Sequence, residues 1–336
     1  MVDEQSYTAE TARWMLLFSL ASSSLLILNK LCMHNFHTPA LISTLQFAVT
    51  TLTCIVLMTS GAVEPDGWEW RKVKPYLLYV TMFVMTIYAN MRALQHSNVE
   101  TIIVFRSACP VIVCFLDWGF LGRQLPSARS VLSLLAIICG CVGYVLTDHS
   151  FRLKGWGAYT WATVYALVLS IEMTYGKHVA GPHLGFASMW GPTLYANTLS
   201  IIPMATLGLL SHELHALGRV EWSGESIGLL ALSCAVGVAI SFLGWRVRSI
   251  LTAACYTVLG VANKMLTVFA SALIWNDHAS MLGVLSLGIC LAGSASYKQA
   301  PMAECGEDDI RTRLNPECAD KCTVRLKEET EENYEN

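Results

Sequence analysis

Charge is what this sequence has least of. Asp, Glu, Lys and Arg make up 14% of its 336 residues, against roughly 25% in a soluble globular protein. The formal net charge is −3 and the basic residues form no patch, so nucleic-acid binding has no support. Long polar loops are missing as well. An integral-membrane glycosyltransferase would need a carboxylate or metal cluster on a substantial loop. The one Asp-x-Asp-like pair here is Asp308-Asp309, near the C-terminus. A signal peptide of the usual basic-apolar form is absent, because Met1 to Glu10 is polar and acidic, and the first span is expected to insert uncleaved. Cysteine is plentiful, but most of the 12 fall in or beside apolar runs, where the thiol acts as a small hydrophobe. Cys318-x3-Cys322 has no nearby His, which makes a poor zinc pattern.

What is present is apolar length. Hydrophobic residues make up 54% of the chain, in ten runs near 13–33, 38–60, 75–95, 99–118, 128–147, 155–178, 186–211, 226–245, 250–275 and 279–297. A helix needs roughly 20 apolar residues to cross a bilayer. The expected fold is therefore an all-α integral membrane protein of ten transmembrane helices. Residues 1–12 form an N-terminal segment, 13–297 the helical domain, and 298–336 a polar, solvated tail. An even span count puts both termini on one side. Ten Lys and Arg fall on that side, Arg246 and Arg248 among them, and five on the other. The positive-inside rule makes the terminus side cytosolic. Ten spans divide into halves of about 13–147 and 155–297, and five spans per half would invert the second half. That is a plan used by many transporters, whose sites lie at midplane between the halves.

The sequence is organised around Tyr256-Thr-Val-Leu-Gly260-Val-Ala-Asn263-Lys264, inside the ninth run. A lysine in such a run is costly and marks either a functional site or a buried ion pair. Gly260 and Ala262 leave room for close approach, and an ammonium beside such a gap suits a phosphate. Arg106 in the fourth span sits at a matching depth. At 1.5 Å per residue, both cations are roughly 12–16 Å from the non-cytosolic face, near the middle of a ~30 Å core. They would form one anion site or two separate ion pairs, for instance Arg106 with Glu100. Lys30 and Arg92 lie near span ends, where they can snorkel. Asp117 has Arg123 or water as partner. Glu172 is either a proton or gating group or a salt-bridge partner of Lys177. In the seventh span, Trp190-Gly-Pro-Thr-Leu-Tyr195-Ala-Asn197 joins a helix-kinking proline to an aromatic and an amide. The amide can meet a base edge, and Tyr195 can line a wall or simply pack.

Three stretches carry a resemblance. Gly260-Val-Ala-Asn263-Lys264 is similar to the Gly-Ala-Leu-Asn-Lys motif of nucleotide-sugar transporters in the drug/metabolite transporter superfamily. Leu194-Tyr195-Ala196-Asn197 is similar to their Phe-Tyr-Asn-Asn motif. Asn98 to Arg106 resembles the plant Golgi GDP-mannose transporter group at the start of span four. The resemblance covers residues 13–297 and implies a Golgi carrier, not an enzyme, exchanging cytosolic GDP-sugar for lumenal GMP without a cofactor. The partners it implies are those two substrates and membrane lipid, with a second copy of the chain left open. Asn197 would read guanine with Tyr195 and Ser241 beside it. Tyr256 would line the nucleotide, Gly260 would allow close approach, and Asn263, Lys264 and Arg106 would hold the sugar-phosphate end. Ala196 replaces the motif's first asparagine and Leu194 its phenylalanine. The family's tyrosine position in span one corresponds to Phe18. These departures bear on the sugar and on the strictness of guanine selection. A UDP-sugar or sugar-phosphate carrier and a non-transporting adaptor remain the alternatives.

Overall fold

The computed structural model describes residues 2–96, 99–146, 157–214, 222–274 and 281–298. They include ten α-helices of 16 to 35 residues: α1 Val2–Phe36, α2 Pro39–Thr59, α3 Trp70–His96, α4 Val99–Phe120, α5 Ala128–Leu146, α6 Gly157–Val179, α7 Trp190–Leu210, α8 Gly224–Ile250, α9 Ala253–Ile274 and α10 Met281–Ser296. Four stretches, Ala9–Asn29, Pro39–Thr59, Trp190–Leu210 and Gly224–Ile250, are long and apolar enough by themselves to cross a membrane. The tail after residue 298, the Glu100 and Lys30 side chains, and the loop charges Arg152, Lys154 and Arg219 lie outside the described residues.

Two helices differ from expectation. α1 runs back over residues 2–12, and α8 continues five residues past 245. The run Arg246-Val-Arg248-Ser reads as a loop because it is charged, yet both charges are accommodated on a helix. Residues two apart on a helix point to nearly opposite sides. Arg246 turns outward, over the Trp14 ring at 5.3 Å and 3.3 Å from Glu10. Arg248 turns inward and is buried. Pro192, expected to kink α7, stands in its first turn. A first-turn N–H has no intrahelical partner, so proline costs nothing there.

Helix ends are closed by side chains from distant segments. The Glu213 carboxylate accepts from Ala40 N at 3.0 Å and Leu41 N at 3.0 Å, an anion on the N-terminus of α2. Asp117 was expected beside Arg123 or water. Arg123 is a neighbouring charge, and the Asp117 Oδ2 also accepts from Ala254 N at 3.0 Å, capping α9. Thr252 Oγ1 accepts from Cys255 N at 3.0 Å at the same end.

The helix pairing has an internal order. The best-packed pairs are α5–α10, α3–α6, α2–α7, α1–α8 and α4–α6, followed by α2–α8, α4–α9, α4–α5, α9–α10 and α3–α7. Moving each helix number by five turns α3–α6 into α8–α1, α2–α8 into α7–α3 and α4–α5 into α9–α10. It leaves α2–α7, α4–α9 and α5–α10 unchanged. At α5–α10 the backbones meet directly. A Cβ at Gly140 would come within 2.6 Å of Cys290 N, and one at Gly293 within 3.0 Å of Ser133 O. Small residues permit this approach.

Candidate functional site

A cavity of about 420 Å3 opens among α2, α3, α4, α6, α7, α8 and α9. Five of the eight expected residues line it: Arg106, Asn197, Ser241, Tyr256 and Lys264. They come from four helices, so tertiary packing alone brings them together.

At one end stand the two cations. Arg106 Nη1 donates to Tyr165 Oη at 2.7 Å, while its buried Nε has no partner among the described residues. Lys264 has neither a hydrogen bond nor a carboxylate partner among the described residues, and Arg106 is the dominant charge it feels. Two like charges facing one hollow repel, and an anion between them would relieve that repulsion. Gly260 does not line the cavity. A Cβ there would stand 3.5 Å from Arg106 Nη2, so the glycine keeps α9 open to the α4 arginine. Asn263 is buried next to Lys264, outside the lining.

The amide wall is partly committed. Asn197 Nδ2 donates to Thr193 O at 2.7 Å, and Ser241 Oγ donates to Asn197 Oδ1 at 3.4 Å. Tyr195 stands away from the cavity. Its hydroxyl donates to Gly67 O and accepts from Glu69 N at 2.9 Å, and Trp68 meets its ring edge-on at 4.4 Å. Tyr195 therefore pins the segment before α3. Beside it, Asp66 accepts from Lys72 Nζ at 3.3 Å and from Ala187 N at 3.2 Å. Phe18 packs on Tyr256, with ring centroids 5.4 Å apart, and does not reach the cavity.

The sequence reading missed Arg248, which it placed among the loop charges. Its guanidinium lies 4.8–5.4 Å from the rings of Tyr256, Trp245 and Tyr79. Nη1 donates to Tyr79 Oη at 3.0 Å, and Nη2 is 3.9 Å from Glu172 Oε1. The expected Glu172–Lys177 bridge is replaced by this pair. Lys177 Nζ donates instead to Arg248 O at 2.9 Å and Ser249 O at 2.7 Å. The available signal was the phase of Trp245 and Arg248, which are three apart and share a helix face.

The fold and site define a helical, multi-span membrane protein with a charged cavity inside it. The chain belongs to the Triose-phosphate Transporter family, whose sequence profile matches residues 10–298. It is 36% identical to GDP-fucose transporter 1 of Arabidopsis thaliana, over 84% of each chain. It is 32% identical to the GDP-mannose transporter GONST3 of the same plant, over 84% of this chain and 76% of that one. A solved crystal structure superposes with a TM-score of 0.65 over 86% of this chain and 96% of the other, at 16% identity. That likeness supports the fold alone.

Proposed function

We propose that this chain is an antiporter of guanine-nucleotide sugars, carrying GDP-mannose, GDP-fucose or GDP-galactose one way and GMP the other. The observation that carries the reading is the Arg106–Lys264 pair, two cations from facing helices at one cavity, with no carboxylate on Lys264 among the described residues. A nucleotide's phosphate is the anion that would justify both. The relatives named as GDP-fucose and GDP-mannose transporters supply the base and the class of sugar. The base would lie toward Asn197 and Ser241, with the Asn197 amide turning away from Thr193 to read guanine, and Tyr256 would flank the nucleotide.

The exchange of helix pairs on moving by five supports two inverted halves, residues 13–147 and 155–297, with helix pairs drawn from both halves rocking about this cavity. The family resemblance supports the Golgi membrane. The lysine and arginine bias supports cytosolic termini, although Arg248 drops out of the ten charges counted on that side.

The test is uptake of labelled GDP-mannose and GDP-fucose into liposomes holding the full chain. Uptake of one of them should rise sharply with GMP inside, and free GMP, not UMP, should compete. Equal uptake into empty vesicles would refute exchange, and equal competition by UMP would refute guanine selection. The family description favours one other reading, a sugar-phosphate carrier. That reading requires triose phosphate to be taken up and GMP to leave uptake unaffected.

A further inference from the structure

We infer that Arg248 is a counterion switch, tying the opening of one end of the cavity to the presence of a phosphate. Two helix pairs flank the cavity, α3–α6 and α1–α8, and each is packed along its length. Between the pairs, α6 and α8 barely touch. At the α8–α9 corner the ring of Trp245 packs on Tyr76 and Tyr79 of α3, and beside that contact the join is polar. Arg248 reaches Tyr79 Oη on α3 and Glu172 Oε1 on α6, and Lys177 Nζ on α6 holds the carbonyls of Arg248 and Ser249. Tyr79 Oη also donates to Glu172 Oε1 at 3.4 Å. The slot is shaped for the guanidinium, since a Cβ at Gly176 would overlap it.

Separating α8 from α3 and α6 strips Arg248 of its carboxylate inside a low-dielectric core, which disfavours the open state of the empty protein. Arg248 lines the same cavity as Lys264, so a phosphate there can replace Glu172 as its counterion. Glu172 then keeps Arg106 as a neighbouring charge. Movement at this end is thereby favoured when an anion is aboard and hindered when it is not, which enforces exchange.

The inference rests on the nucleotide reading above, and wild-type exchange in the same liposomes separates the two failures. If the wild type moves no guanine nucleotide, that reading fails. If it does, the switch is tested by the ratio of GMP efflux driven by external GMP to efflux into nucleotide-free buffer. Glu172→Gln and Tyr79→Phe both loosen the latch while leaving Lys264 and Arg106 in place. Each should raise efflux into empty buffer and lower the ratio by about tenfold, the effect of a modest shift between two states. A merely structural role would lower both rates together and leave the ratio alone. A wild-type ratio in both variants, with GMP still bound, overturns the switch.

Discussion

A lysine halfway along an apolar helix gives up its hydration, and without a carboxylate that cost stays in the folded protein. Lys264 is in this position among the described residues, with Arg106 adding repulsion. Under the proposed function the empty protein holds strain that a bound phosphate would remove. Lys264→Gln should act in two opposite senses. The empty protein should melt at a higher temperature, because a buried unpaired charge has gone. The rise in melting temperature on adding GMP should shrink, because a charge-assisted hydrogen bond of about 1.5–3 kcal/mol is lost, roughly ten- to a hundredfold in affinity. Thermal unfolding with and without GMP measures both. If both shifts are absent, Lys264 is a plain structural residue. The placement of this lysine was legible in the sequence because it lies near the middle of an apolar run, at a depth that Arg106 matches. Tyr195 was not legible in the same way. Its motif position suggests a cavity wall, but its hydroxyl goes to Gly67 and Glu69, partners more than a hundred residues away that no local pattern announces.

Among helices, what is legible follows from what a bilayer demands. Each apolar run has a helix among the described residues, because a backbone in lipid must satisfy its own hydrogen bonds. Helix ends were less readable, since charge near an end has two outcomes. Arg246 and Arg248 are separated by one residue, yet one meets Glu10 at the surface and the other meets Tyr79 in the interior. Only the phase against neighbouring helices decides between them. The α5–α10 pair depends on the reverse property, a lack of side chain. Gly140 lies against Ser286 O and Cys290 N, both of them backbone atoms that cannot rotate aside. Gly140→Leu should force these helices apart at a cost of about 1–3 kcal/mol or more, measured as a lower unfolding temperature in detergent. The same change at Gly228, where a Cβ would meet nothing within 4 Å, should leave that temperature unaltered. Equal effects at the two glycines would mean that backbone contact does not hold α5 to α10.

For the molecule as a whole, alternating access requires some helix pairs to move and others to stay. Close packing makes such pairs bistable units, not elastic ones. The pairs α3–α6 and α1–α8 face each other across the cavity and are joined at one end by the Trp245 ring on Tyr76 and Tyr79 and by the Arg248 ties, so under the proposed mechanism they are the parts that would rock. The α5–α10 pair lies outside the cavity lining and is locked backbone to backbone, which leaves it no room to slide. The chain carries its own probe of this division. Cys141 on α5 and Cys290 on α10 are free thiols with their sulfurs 3.5 Å apart. A two-electron oxidant such as diamide can join them with a small approach, since a disulfide needs about 2.05 Å. Oxidised protein, identified by the loss of two alkylatable thiols in the peptides bearing Cys141 and Cys290, should exchange GMP at the rate of the reduced protein. A Cys141→Ser variant given the same oxidant controls for damage elsewhere. If closing this one bridge stops exchange and a reductant restores it, α5 and α10 must slide during transport, and the moving parts are not those the packing picks out.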